Sequence, residues 1–221
     1  HRYSSAASDV YKRQTYGGSI SVGVEAEATG LRPWEDTCSS PCYNMMISVF
    51  DKLVEMNVSG AYVPYLAESL TSNEDFTVWT MTLRPGVTFH NGVELTAQSI
   101  ADMFPIQQAG AAGSSAIAAA NLATVEATGE LEVTYTLSEG GSAFPASLSR
   151  APIGMVFEPA AAAADPEGFS MAPVGTGPFV IDSRDLDNET TFVRNDSYWA
   201  TDPDGNALPY LDSISFRPIP D

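Results

Sequence analysis

Residues 78–83, Val-Trp-Thr-Met-Thr-Leu, alternate strictly, and within thirty residues the period changes. Trp79, Met81 and Leu83 share one face of a strand, and Val78, Thr80 and Thr82 share the other. Pro85-Gly86 and Asn91-Gly92 are turn dipeptides. Leu95-Thr96 then leads into a helix from about Ala97, with Thr96 placed to cap it. A strand, two turns and a capped helix in so short a stretch point to an α/β fold. The rest of the chain agrees. Ile20, Val22 and Val24 alternate in a first strand over 17–25. Met46, Ile47, Phe50, Leu53 and Val54 recur at near-helical spacing, which predicts a helix over 43–56. A hairpin is expected from 123–127 through Thr128-Gly129 to Leu131, Val133, Tyr135 and Leu137. A short helix over 160–164, closed by Asp165-Pro166, and strands at 179–181, 190–194 and 214–218 complete a mixed-sheet pattern with no internal repeat.

Charge narrows the function classes. Twenty-eight acidic residues face ten basic ones, a net charge of −18. Nucleic acid requires a basic footprint, and docking on anionic lipid a polybasic patch, so the charge argues against both as partners. The balance fits either a soluble, self-repelling surface or an acidic cleft for cationic ligands. No run of about 18 apolar residues exists; the Ala/Gly-rich stretch 106–122 is too weakly hydrophobic to span a membrane. Cys38 and Cys42 fit a small disulfide, a metal or redox pair, or two free thiols. The metal reading is poor because only His1 and His90 could complete a site.

Catalytic motifs are absent: there is no G-x-S-x-G, no H-E-x-x-H and no P-loop. Gly175-Thr-Gly-Pro178 lacks the third glycine and the helix of a dinucleotide site. His90 beside Asn91-Gly92 reads as structural, because no nucleophile and carboxylate stand with it. Residues 202–206 miss the calcium-loop pattern, since the glycine is misplaced and Asp212 stands at position twelve, so they read as a surface turn. No cofactor, metal or catalytic residue is expected. A secreted hydrolase working through a carboxylate pair is the alternative function, resting only on the abundance of Asp and Glu.

Residues 79–104 carry a more specific signal. Leu83, Arg84, Gly86, Val87, Phe89, His90, Gly92, Leu95, Thr96 and Ala97 fall in the register of L-R-x-G-V-x-F-H-x-G…L-T-A. Tyr65-Leu-Ala-Glu-Ser69, Pro173-Val-Gly-Thr-Gly-Pro-Phe179, Arg194-Asn-Asp-Ser-Tyr-Trp199 and Pro209-Tyr-Leu-Asp212 with 214–220 follow in order. This set resembles extracellular solute-binding protein family 5, the oligopeptide-, dipeptide- and nickel-binding components of ABC importers. Ser99 stands where that family has an acidic residue, a departure that weakens the helix start. Residues 105–121 are short where relatives carry a longer helical insertion.

The resemblance implies a type II periplasmic-binding-protein-like, two-lobed receptor with the extra small domain of the peptide-binding family. Its expected parts are a first segment of lobe one at 15–50, the small domain at 51–168 and the return of lobe one at 169–221. The second lobe, with its charged ligand anchors, is expected to be missing, so that the chain is an N-terminal portion with mixed sheets. Residues 1–14 resemble a translated adapter and read as a non-native leader, with no export signal present. By alignment with the family, Glu25, Glu27, Thr37, Cys38, Ser39 and Ser40 would lie nearest the ligand. The two carboxylates would meet an amine, and the hydroxyls would supply donors. Trp34 and Tyr43 fit an aromatic wall or the core. The implied partners are a small solute such as a peptide and the permease subunits in the membrane. The implied location is periplasmic or on the cell surface as a lipoprotein, and the implied activity is binding without turnover.

Overall fold

The computed structural model describes residues 15–26 and 28–219. Three sheets organise the chain. The first has the order β1-β10-β9-β8, built from Ser19–Val24, Ser213–Pro218, Glu189–Arg194 and Phe179–Asp185. Its β1 and β10 run parallel, and its remaining pairs are antiparallel. A second, antiparallel sheet has the order β4-β5-β7-β6, from Ala67–Ser72, Val78–Leu83, Glu132–Leu137 and Leu122–Ala127. A two-stranded ribbon, β2 (Val54–Met56) and β3 (Tyr62–Pro64), lies between them in sequence. The helices are α1 (Ser40–Val49), α2 (Ala97–Ala109), α3 (Ala111–Ala119), α4 (Phe144–Ser147) and α5 (Pro159–Ala164). None of the described helices is long and apolar enough to cross a membrane.

The alternation at 78–83 translates directly into burial. Trp79, Met81 and Leu83 are buried in β5, and the residues between them are half-exposed. Across the ladder Trp79 faces Tyr135 and Met81 faces Val133, so the inward faces of β5 and β7 form one apolar surface. Helix α2 covers it with Ile100 and Met103. The first sheet is one-sided in the same way. Val24, Phe192 and Phe216 are buried, while Ser19–Ser213 and Ser21–Ser215 hydroxyl pairs line the open face. Ile20, at the edge, stays 45% exposed although it shares the apolar register.

Two expectations change. The helix predicted over 43–56 stops at Val49. The amides that would extend it are spent elsewhere: Leu53 N donates to the Gly154 carbonyl at 2.9 Å and Val54 N to that of Leu148 at 3.2 Å. The Val49 carbonyl accepts from Gly177 N at 2.8 Å. Leu53 and Val54 are buried as part of an extended segment, whose apolar spacing mimics a helix. The start of α2 is also firmer than its composition suggests. Ser99 N donates to Thr96 Oγ1, and Thr96 N donates to Ser99 Oγ, both at 3.3 Å. Serine here closes a capping box, the reciprocal arrangement usually made by Glu or Gln. Cys38 and Cys42 form a disulfide, which resolves the three readings of that pair.

Candidate functional site

A cleft of about 940 Å³ opens where four segments meet. The loop before α1 supplies Asp36, Thr37 and Cys38, and α1 itself supplies Tyr43. The segment after α1 adds Lys52, and the ribbon adds Met56 and Tyr62. The first turns of α3 and the loop 149–152, with Arg150, complete the lining.

Each wall is stiffened locally. Asp36 accepts from Arg32 N at 2.8 Å and pairs with the Arg32 guanidinium through both oxygens, at 3.1 and 2.9 Å. Burial of Trp34 against Phe157 and Phe169 holds the same loop from behind. Helix α3 docks on it: Gly113 N donates to the Trp34 carbonyl at 2.8 Å, and Ala111 N to Glu35 Oε2 at 3.0 Å. A side chain at Gly110 would lie 2.2 Å from the Trp34 carbonyl oxygen, so glycine permits this contact. The Cys38–Cys42 disulfide joins the loop to the first turn of α1, whose cap residue Ser39 makes no side-chain capping bond.

Directly behind Lys52 lies a buried polar node that the sequence reading did not find. Asp51 is 4% exposed. Its Oδ2 accepts from Trp199 Nε1 at 2.9 Å and Thr176 Oγ1 at 3.1 Å, and its Oδ1 from Tyr198 OH at 3.0 Å. Tyr198 in turn meets Tyr65 OH at 2.9 Å. Arg84 donates to the Tyr65 carbonyl at 2.6 Å and stands over the Trp199 ring at 5.1 Å. Nearby, His90 Nε2 meets the Gly177 carbonyl at 3.0 Å, and Gly175 N donates to His90 Nδ1 at 3.4 Å. That pattern places the proton of a neutral imidazole on Nε2. Asn195 Nδ2 also donates to the Gly177 carbonyl, at 3.0 Å. The motifs at 65–69, 83–97, 173–179 and 194–199 therefore converge in space. Their conspicuous residues, Arg84, Tyr198 and Trp199 among them, hold the scaffold together, as the sequence suggests for His90.

Burial pushes the Asp51 carboxyl up to about 6, against the bonds from Trp199, Tyr198 and Thr176 that favour its anion. Burial pushes His90 the other way, below its ordinary value, with the Gly177 carbonyl partly opposing. The two contributions to stability have opposite signs. For Asp51, whose folded value is raised, stability is fully present below the unfolded value near 4 and is lost as pH rises through about 6. For His90, whose folded value is lowered, stability is present above about 6.5 and is lost as pH falls through the folded value. Asp51→Asn removes only the first. Its stability deficit relative to the unaltered chain should therefore widen by on the order of 2 kcal/mol between pH 7 and pH 4. Urea denaturation of both proteins across that range checks this; a constant deficit rules it out.

The expected ligand-side residues scatter. Thr37 and Cys38 line the cleft, Ser39 and Ser40 are exposed at the start of α1, and Glu25 is exposed just past β1. Glu27 lies outside the described residues. Tyr43 lines the cleft, whereas Trp34 belongs to the core. Lys52, Met56, Tyr62 and Arg150 were not anticipated, because they come from segments whose apolar pattern or irregularity hid their placement. No group of three or more His, Cys, Asp or Glu side chains among the described residues could hold a metal ion. The turn at 202–206 is closed by Asp202 itself, which accepts from Asp204 N and Asn206 N at 2.9 and 2.8 Å.

Residues 61–221 match the family described as bacterial extracellular solute-binding proteins, family 5 Middle. The chain belongs to this family. It is 31% identical over 178 residues to the nickel-binding periplasmic protein of Escherichia coli K12, covering 78% of this chain and 32% of that one. It is 29% identical over 209 residues to the glutathione-binding protein GsiB of an E. coli O6 strain, covering 92% and 38%. Among solved structures it superposes on the binding protein MoaA of Agrobacterium tumefaciens R10, in complex with mannopinic acid. That match has a TM-score of 0.79 and 26% identity over 94% of this chain and 41% of the other. The chain thus spans about a third of the length of these curated relatives. The family is one of binding proteins, and the fold is that of periplasmic solute receptors.

Proposed function

We propose that this chain is part of a receptor that captures a peptide or a similar small, carboxylate-bearing solute between two lobes. The receptor delivers the solute to the permease subunits of an ABC importer outside the cytoplasm. The observation that carries the reading is the cleft of about 940 Å³, walled by braced loops in a family of solute-binding proteins. Small-molecule sites have this size and this mixture of apolar wall and few polar groups. Glutathione and mannopinic acid, bound by two relatives, are both carboxylic acids. The disulfide suits an oxidising, extracytoplasmic compartment, as do relatives described as periplasmic; a soluble periplasmic protein and a surface lipoprotein both satisfy this.

In this reading 15–50 and 169–221 form lobe one, 51–168 the small domain, and a second lobe closes over the cleft. The first sheet supports the division, because its four strands come from the first and last of these segments. Thr37 and Cys38 face the solute, while Ser39, Ser40 and Glu25 stand toward the closing lobe. The hydrolase alternative finds no support at this cleft. Asp36 is the one carboxylate lining it among the described residues, and it is committed to Arg32, whereas glycoside hydrolysis needs two free carboxyl groups. Isothermal titration of the full-length receptor against Ala-Leu, glutathione and a nickel–histidine complex tests the proposal. Tight binding with every ligand recovered intact is expected. Turnover of any of them would exclude it.

A further inference from the structure

We infer that the Cys38–Cys42 disulfide is a thiol–disulfide exchange site, opened in the folded chain by a small thiol that enters the cleft and attacks Cys38. The inference goes beyond the receptor reading, since it needs only that the cleft admit a small molecule. The two sulfurs are placed unequally. Cys38 lines the cleft and is half-buried, whereas Cys42 is 2% exposed in the first turn of α1. Access decides which sulfur a thiolate attacks, so Cys38 is the one open to a nucleophile in the folded chain. On its inner side Cys38 Sγ rests 3.4 Å from Sδ of Met46, which is fully buried. Cys38 and Cys42 are the only cysteines of the chain, so the exchange has no internal competitor.

A structural staple is the ordinary reading of such a bond, and three observations count against it. The bond joins residues only four positions apart, and a loop that short removes little entropy from the unfolded chain. The segment it ties is already held without it. Arg32 grips Asp36 through both oxygens, Trp34 packs on Phe157 and Phe169, and Gly113 N donates to the Trp34 carbonyl. The buried sulfur is also set to leave. Helix α1 begins with no side-chain cap and no acidic residue in its first turn. The positive end of its dipole is therefore unopposed where Cys42 sits, and it favours negative charge on the departing sulfur. Cys42 Sγ lies 3.4 Å from the Gly30 carbonyl, which accepts the S–H once that sulfur is protonated. The exchange balances. The incoming thiolate forms a bond to Cys38 Sγ, the Cys38–Cys42 bond breaks, and Cys42 leaves with the electron pair and takes up the proton the thiol gave up. A second thiol then displaces the first from Cys38, so that two thiols are oxidised to one disulfide and the cysteine pair gains two electrons. Opening the bond frees Thr37 and Cys38 at the cleft wall and leaves the braces behind them in place.

The test treats the 221-residue chain, without denaturant, with glutathione, with cysteine and with S-methylglutathione, whose sulfur is blocked. Samples are quenched in acid, alkylated and read by intact mass. Glutathione and cysteine are expected to open the bond at a rate within roughly 10-fold of that for the same chain unfolded in urea, while S-methylglutathione leaves it closed. The faster of the two thiols tells whether the cleft prefers a thiol peptide or a thiol amino acid. Far-ultraviolet circular dichroism of the reduced chain should keep the folded signal. With oxidised glutathione, Cys42→Ser, which leaves Cys38, should form the mixed disulfide at least roughly 10-fold faster than Cys38→Ser. A native rate below about a tenth of the unfolded rate would mark a sealed staple, opened only by unfolding, and overturn the inference. So would loss of the fold on reduction, or a Cys38→Ser variant that reacts as fast as Cys42→Ser. None of these outcomes bears on the receptor reading, which titration of the full-length receptor tests separately.

Discussion

Asp51→Ala is expected to destabilise the chain by about 4 kcal/mol at neutral pH, the largest effect of any single side chain discussed above. The carboxylate is almost wholly buried, and a buried charge is costly in itself. Removing it therefore relieves one penalty. The deletion strands three donors, however: the Trp199 indole, the Tyr198 hydroxyl and the Thr176 hydroxyl. Each buried donor left without a partner costs about 1–3 kcal/mol, and the small cavity adds to it. The sum exceeds the relief. Asp51→Asn keeps the volume and one acceptor oxygen but turns an amide against a donor, so about half the loss is expected. Urea denaturation followed by far-ultraviolet circular dichroism gives both values. A loss under 1 kcal/mol for the alanine variant would show that the node is ornamental.

Gly177→Ala should cost about 3 kcal/mol for a steric reason. A Cβ there would lie 2.5 Å from both the carbonyl carbon and oxygen of Val49 and 3.0 Å from Phe50 N. These are backbone atoms at the end of α1 and cannot swing aside. The loop would have to lift, which breaks the Gly177 N bond to Val49 and disturbs the two bonds its carbonyl accepts from His90 and Asn195. Loss of the His90 bond gives a second readout. The imidazole, still buried but without the bond that favours its cation, would then titrate further below its ordinary value, visible in its carbon-bound proton shifts. A variant with unaltered stability and an unaltered histidine would mean that the loop has slack the structure does not show.

Both predictions fall on residues whose neighbours are remote in sequence, and that separates what could be read in advance from what could not. The strands at 78–83, 122–127 and 132–137 and the start of α2 were legible because their signals are local: alternation, turn dipeptides and a cap lie within a few residues of one another. The family was legible for a related reason, since its motifs are contiguous. The end of α1 was not, because the bonds that stop it come from Gly154, Leu148 and Gly177. Apolar spacing reports which residues are buried and leaves open which amides are already taken.

The strand, turns and capped helix of 78–97 were settled by the sequence itself. So were the α/β class and membership of a solute-binding family. Only the tertiary structure decided what those motifs are for. It folds Arg84, His90, Gly175–Gly177 and Trp199 around a buried Asp51, and so commits the most recognisable residues to the scaffold. It leaves the cleft to inconspicuous ones, Thr37, Tyr43, Tyr62 and Arg150. The physical reason is that a scaffold is specified by close packing and paired donors, which leave recurring patterns in the chain. A ligand site needs only that a few side chains be left unpaired, and which ones remain so depends on every partner the fold has already assigned.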